Sequence, residues 1–383
     1  MLPIPYGRQS ITEEDKAAVL NVLDSELLTQ GPWVEQFEDS VAKYIGATHA
    51  VAVSSGTAAL HLAAMALNVQ PGQTVLVASN TFVASANCIR YCGGDVEFVD
   101  VDAKSYCLDI DELEKKLKSA PPGKYKGIVC VDFAGLPLDL EKLRRVADEY
   151  ELWILEDACH ALGAQFKNSH NEWVYSGNSR YADISVFSFH PVKHIATGEG
   201  GLITTSNKKI YEDLCLLRTH GITKNPDKFS KESDGGWYYE MQKLGYNYRI
   251  SDILCALGTS QLVRIEQNLK RRRDLANTYF NALKDQPLTL PDPNRMQKHA
   301  YHLYVVRSSR RQELYTYLRE KQIFAQVHYI PVHKQPYYQR LYGDIRLPNA
   351  EMYYESALSI PMYHGLTDPD QQRVIEVIKK FHG

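Results

Sequence analysis

The sequence predicts an α/β protein: a largely parallel sheet of about seven strands with helices on both faces, followed by a smaller α+β part. Three observations lead there. Between residues 48 and 206, short apolar runs alternate with stretches whose apolar residues recur at helical spacing. The apolar runs are continuous and do not alternate strictly with polar residues, the pattern of strands covered on both faces. After about residue 250 this rhythm ends, and a long helical stretch is followed by shorter strand-like runs.

Taken in order, Thr12 followed by Glu13, Glu14 and Asp15 reads as a helix start, with a hydroxyl cap and acids at the positive end of the helix dipole. Seven strands follow: HAVAVSS (49–55), TVLVAS (74–79), DVEFVDVD (95–102), GIVCVDF (127–133), LWILEDA (152–158), DISVFSF (183–189) and GGLITTS (200–206). Helical stretches such as AALHLAAMALNV and DLEKLRRVADEYE separate them. Residues 251–283 read as one long helix, and YHLYVVR and IFAQVHYIPV as later strands. The chain therefore divides into a large domain, 1–249, and a small one, 250–383, to which the amino-terminal segment is a candidate to belong. At 383 residues the length suits two cores, since single cores rarely grow beyond about 250 to 300 residues.

Bulk properties narrow the function. With 43 Lys and Arg against 46 Asp and Glu, the net charge is -3, so there is no basic field to gather nucleic acid. Seven cysteines, an odd number without paired CxxC spacing, point to a reducing, cytoplasmic setting and away from a disulfide framework. The start MLPIPYGRQSITEED lacks a signal peptide's basic and apolar regions, and no apolar run reaches the roughly 18 residues of a membrane helix.

Three places could carry chemistry. In VAVSSGTAALHLAAMAL a small-residue turn joins a strand to a helix. Gly56 would let backbone approach a ligand, and the amides of Thr57 and Ala58 at the helix start would suit a phosphate, although a plain strand-to-helix turn has the same composition. The motif lacks GxxxxGK[ST] and GxGxxG, which argues against nucleoside triphosphate and dinucleotide sites. In LWILEDACHALGA, Asp157 ends a buried strand at the edge where open α/β sheets bind ligands. A buried carboxylate needs a partner, and a protonated heteroaromatic nitrogen would serve, with His160 close enough to touch the same ring; an Asp capping the next helix is the alternative. In FSFHPVKHIATGEGG, Lys193 follows a strand among small and apolar residues, with Ser188 five positions earlier. A lysine there can form a Schiff base once burial lowers its pKa from about 10.4. His190 and His194 share an i, i+4 spacing, but Pro191 lies between them and no third ligand has recognisable spacing, which argues against a metal. A phosphate turn, an acid and a lysine in this order point to pyridoxal 5'-phosphate (PLP).

The blocks SSGTAAL, ASNTFVASAN, VDVDAKSYCLD, EDACHALGA, FSFHPVKHIATGEGG, GYNYRISDILCALG, VHYIPVHKQPYY and LSIPMYHGLTD resemble, in order and over nearly the whole chain, the DegT/DnrJ/EryC1/StrS nucleotide-sugar aminotransferases. The resemblance implies PLP fold type I, the aspartate aminotransferase fold. By it, Lys193 would carry the cofactor as a Schiff base and Asp157 would pair with its ring nitrogen. His160, where many relatives have Gln, would lie near the ring and its hydroxyl, and Phe82 would stack on the ring face. Gly56, Thr57 and Ser188 would bind the phosphate, joined by Asn247 from the second subunit of a homodimer. His328 and Tyr329 would contact the sugar nucleotide.

One subgroup has His at the lysine position and dehydrates sugars; here position 193 is Lys and His194 comes one residue later, so the resemblance implies amine transfer. The run ITEEDKAAVLNVLDSELLTQGPWVEQFE, with FSFHPVK, is most similar to the aminotransferases of pseudaminic acid biosynthesis. Those enzymes take an amine from L-glutamate, release 2-oxoglutarate and aminate C4 of a UDP-linked 4-keto-6-deoxy sugar. Other UDP- or dTDP-4-keto sugars, the dehydratase reaction, and a non-catalytic regulator on the same fold are the competing readings.

Overall fold

The computed structural model describes residues 2–295 and 298–383. All seven expected apolar runs form strands of one sheet: β1 (His49–Val53), β2 (Thr74–Ala78), β3 (Asp95–Val99), β4 (Tyr125–Val131), β5 (Trp153–Asp157), β6 (Ile184–Ser188) and β7 (Gly201–Thr205). Their order across the sheet is β1-β7-β6-β5-β4-β2-β3. The ladders from β3 to β6 are parallel, and β7 runs antiparallel to both β1 and β6.

Successive side chains on a strand point to opposite faces, and here both faces are apolar. Val51, Val75, Val77, Val129 and Leu155 join the helices Gly56–Ala66, Ala84–Tyr91 and Lys208–Leu217 in one core. Leu76, Ile128, Cys130 and Ile154 join the helices Ile110–Ser119 and Leu140–Glu149 in another. Ala50, Ala52, Phe187 and Leu202 lie with the helices Pro32–Ile45 and Asp252–Leu262 in a third. Each such Val, Leu or Ile, fully buried, contributes about 1.5 to 3 kcal/mol.

The carboxy-terminal part has its own core around Leu275, Tyr279, Val306, Leu318, Ile360 and Ile375. Strands Tyr304–Arg307 and Ala357–Ile360 pair antiparallel, and the amino-terminal Ile4–Pro5 pairs with Ile323–Phe324. The first residues of the chain thus bridge to this core.

The expected single helix over 251–283 is two helices, Asp252–Leu262 and Ile265–Leu283. Arg264 leaves helical geometry at φ -105° and ψ 13°, and its guanidinium reaches the buried carboxylate of Asp15. Asp15 closes the expected amino-terminal helix start reciprocally: its side chain accepts from the Thr12 amide and Thr12 Oγ1 accepts from the Asp15 amide. Ser260 Oγ donates to the same carboxylate at 2.7 Å. Against the upward push of burial, Arg264, the Thr12 amide and Ser260 hold its pKa below the ordinary range. Among the described residues, no helix is long and apolar enough to cross a membrane.

Candidate active site

The last residues of three adjacent parallel strands, Val131, Asp157 and Ser188, line one cavity of about 440 Å³. This is the sheet edge where such folds bind ligands. On one side the turn after β1 brings Ser55, Gly56 and Thr57 into the wall, and on the other stands Lys193.

The glycine at 56 is dictated by the neighbouring strand. A Cβ there would sit 2.9 Å from Ser188 Cβ, so only glycine lets this turn close onto the end of β6. Ser55 caps the helix by accepting the Ala58 amide at 3.1 Å. That corrects the expectation for Ala58: its amide is already used, and the first-turn amides of Gly56 and Thr57 are the ones left to face the cavity wall. The signal was present, since a Ser directly before a helical stretch is a capping residue.

Asp157 is 5 % exposed. Ser85 Oγ donates to Oδ2 at 2.6 Å, and the Cys159 amide to Oδ1 at 3.1 Å. Thr81 Oγ1 lies 2.7 Å from Ser85 Oγ and extends this hydroxyl chain. Asp157 forms no salt bridge among the described residues. Glu156, on the opposite face of β5, is enclosed instead, accepting from the Gly177 amide and from Ser185 Oγ at 2.5 Å. Burial and the neighbouring Asp132 push its pKa well up.

Lys193 lies in the loop after β6, which is closed by hydrogen bonds from the Lys193 amide to the His190 carbonyl and from the Thr197 amide to the Phe189 carbonyl. Burial lowers its pKa, while Cys159 and Asp157 act in the opposite direction. The net effect enlarges the share of free amine, the nucleophilic form. The two flanking histidines are not brought together: His190 is exposed, and His194 is buried with Nε2 on the Ala300 carbonyl at 3.0 Å.

His160 also faces the cavity, 5 % exposed, its ring 4.2 Å from that of His302. Burial first, then Lys193, holds its pKa well below the ordinary range, so the ring is neutral. His328 is lowered to about 4 for the same two reasons and sits 2.9 Å from Ser359 Oγ. Phe82 lines the cavity with its ring 6.0 Å from Tyr329.

A profile of the DegT/DnrJ/EryC1/StrS aminotransferase family matches residues 9–379. The chain belongs to that family. Among its relatives, the UDP-4-amino-4,6-dideoxy-N-acetyl-beta-L-altrosamine transaminase of Campylobacter jejuni is 34% identical over 382 residues, covering 98% of this chain and 96% of the relative. Among solved structures, Helicobacter pylori PseC, an aminotransferase involved in the biosynthesis of pseudaminic acid, superposes with a TM-score of 0.90 at 30% identity, covering 99% of each chain. NtdA of Bacillus subtilis, solved with bound cofactor PMP, gives a TM-score of 0.83 at 27% identity, covering 97% of this chain and 82% of NtdA. The fold is PLP fold type I.

Within this family member, Gly56, Thr57, Phe82, Asp157, His160, Ser188, Lys193, His328 and Tyr329 converge on one cavity. Asn247 does not: it is exposed, bridged to Thr219, and outside the cavity wall of its own chain. Sequence reasoning missed Tyr6, which reaches the cavity from the amino-terminal strand, and His302. It also missed Ser85 and Thr81, although two hydroxyls four residues apart in NTFVASAN mark one side of a turn.

Proposed function

We propose that this aminotransferase uses PLP to move the amino group of L-glutamate onto C4 of a UDP-linked 4-keto-6-deoxy sugar, the amination step of a pseudaminic acid route. The observation that carries the reading is that Lys193 and Asp157 line one cavity, where neither group forms a salt bridge among the described residues. The residues fit the cofactor. Gly56 and Ser188 form a close-packed seat with the amides of Gly56 and Thr57, suited to a phosphate. Phe82 offers a ring face, and Asp157 offers a buried carboxylate to a protonated ring nitrogen.

When bound, PLP supplies an aldehyde for the lysine and a protonated ring that draws in an electron pair. Lys193 Nζ would hold the aldehyde, and its free amine would take the proton from the amino donor's α-carbon, a task its lowered pKa suits. Ser85 Oγ and the Cys159 amide donate to Asp157 and hold its carboxylate in the orientation in which it would face the ring nitrogen. His328, neutral and buried at the cavity wall, would meet the sugar nucleotide.

Two further parts of the reading are structural. We divide the chain at 249/250, so that His302, His328 and Tyr329 of the small domain, with Tyr6 of the amino-terminal segment, meet the strand ends of the large domain at the cavity. We also assign a homodimer in which Asn247 completes the partner's phosphate seat. Its exposure outside its own cavity supports this, as do the exposed apolar side chains of the preceding segment, Trp237 at 78 % and Leu244 at 73 % exposed.

The test is an assay of UDP- and dTDP-linked 4-keto sugars with glutamate, following 2-oxoglutarate release and the amino sugar formed. The UDP-4-keto-6-deoxy sugar is expected to turn over fastest. A dTDP sugar at least tenfold faster would transfer the assignment to that substrate, and no 2-oxoglutarate with any sugar would overturn the reading.

A further inference from the structure

Three groups along one line decide which side chain presents a proton to a ligand in the cavity. The Ala134 amide lies 3.3 Å from His160 Nδ1, and His160 Nε2 lies 3.2 Å from Tyr329 Oη. A backbone N–H can only donate, so Nδ1 is the accepting nitrogen. In a neutral imidazole the other nitrogen then carries the hydrogen, and Nε2–H donates to Tyr329 Oη. The hydroxyl proton of Tyr329 is thereby released from His160 and left for the cavity that its side chain lines. Both ring nitrogens of His160 are spent on protein partners, so His160 has no donor to offer a ligand.

The surroundings hold this polarity. Ala134 sits at φ 60° and ψ 1°, a left-handed conformation costly for an alanine, within the turn Phe133–Gly135. Gly135 fixes that turn against the histidine, since a Cβ there would lie 2.7 Å from the His160 carbonyl oxygen. Phe133 at 6.3 Å and Phe82 at 6.0 Å pack beside the Tyr329 ring, and His302 backs His160 at 4.2 Å.

We infer that Tyr329, oriented by the Ala134 to His160 relay, is the hydrogen-bond donor to an oxygen of the bound ligand, and that His160 acts through Tyr329 as a positioning residue. The acceptor is either the phenolic oxygen of the pyridine ring or the ketone oxygen of the sugar. This rests on the PLP reading above, and it differs from the expectation that His160 itself meets the ring hydroxyl.

The experiment compares PLP-loaded wild type, Tyr329→Phe, His160→Leu and the double variant. It records the pH titration of the visible cofactor band and, separately, the single-turnover rates of the glutamate and sugar half-reactions. If the ring oxygen is the acceptor, Tyr329→Phe shifts the titration and slows both half-reactions by about 10- to 100-fold, the cost of a hydrogen bond to a charged oxygen. If the ketone is the acceptor, the titration is unmoved and only the sugar half-reaction slows by that factor. In either case His160→Leu changes the same readouts in the same direction, and the double variant is no worse than Tyr329→Phe. The inference is overturned if Tyr329→Phe leaves the band and both rates within about twofold of wild type. It is equally overturned if the double variant shows the product of the two single effects, because independent groups add in free energy. Failure of the underlying PLP reading would look different: wild type itself would show no visible band and no glutamate half-reaction.

Discussion

Asp15 and Asp157 are both buried carboxylates, at 0 % and 5 % exposure, and the chain treats them in opposite ways. Around Asp15 the protein supplies everything a charge needs: the Arg264 guanidinium, the Ser260 hydroxyl and the Thr12 amide. Around Asp157 it supplies one hydroxyl and one amide but, among the described residues, no cation at salt-bridge distance, and it opens a cavity instead, with Lys193 on the same wall. A completed carboxylate joins two helices, whereas an incomplete one at a strand end is available to a cationic ligand. The contrast separates structural charge from chemical charge without reference to sequence motifs.

The most severe break of the contrast is at the lysine that shares the cavity with Asp157. Lys193→Ala is expected to reduce glutamate-dependent 2-oxoglutarate release by at least about 10⁴-fold, as removal of a covalently acting group does elsewhere, with an unchanged melting temperature. Asp157→Asn comes next. Loss of the carboxylate opposite the ring nitrogen is expected to lower kcat by about 10² to 10³ and weaken PLP binding, measured by cofactor titration, while thermal stability holds.

Arg264→Ala should give the reverse pattern. It leaves Asp15 buried without its cation, at a cost of roughly 3 kcal/mol, so the melting temperature falls by several degrees while kcat per folded molecule is kept. Because the folded-state pKa of Asp15 is lowered, the pair's contribution is complete above the ordinary Asp value of about 3.9 and is lost as pH falls below it. The wild-type advantage over Arg264→Ala in thermal melts should therefore shrink only in that acid range.

The smallest effect concerns Asp132 and Glu156, two buried carboxyls whose pKa values are both raised, first by burial, Asp132 to about 6. Here the sign is opposite. A raised folded-state value means that stability falls as pH rises from about 3.9 through 6. Asp132→Asn keeps an oxygen for the Leu138 amide and removes one of the two like charges. Its melting temperature should equal that of wild type near pH 4 and exceed it by a few degrees at pH 8.

Much of this was legible in the sequence where the information is local. All seven sheet strands follow from continuous apolar runs, and Gly56, Asp157, Ser188 and Lys193 lie within a few residues of the strand ends that position them. What escaped depends on partners far along the chain. Nothing in QLVRIEQ breaks a helix; the bend at Arg264 arises from Asp15, 249 residues earlier. Tyr6 and His302 carry no local mark of a site and enter the cavity only through tertiary packing. The inferred action of His160 through Tyr329 was hidden for the same reason, since it rests on the contact of its Nδ1 with an amide 26 residues away.

The central claim is that Lys193 is the covalent anchor of PLP. Reduction of the PLP-loaded protein with borohydride, followed by peptide mapping, should place the pyridoxyl group on Lys193 at close to one per chain. A pyridoxyl group on another lysine, or none on a protein that binds PLP, would contradict it.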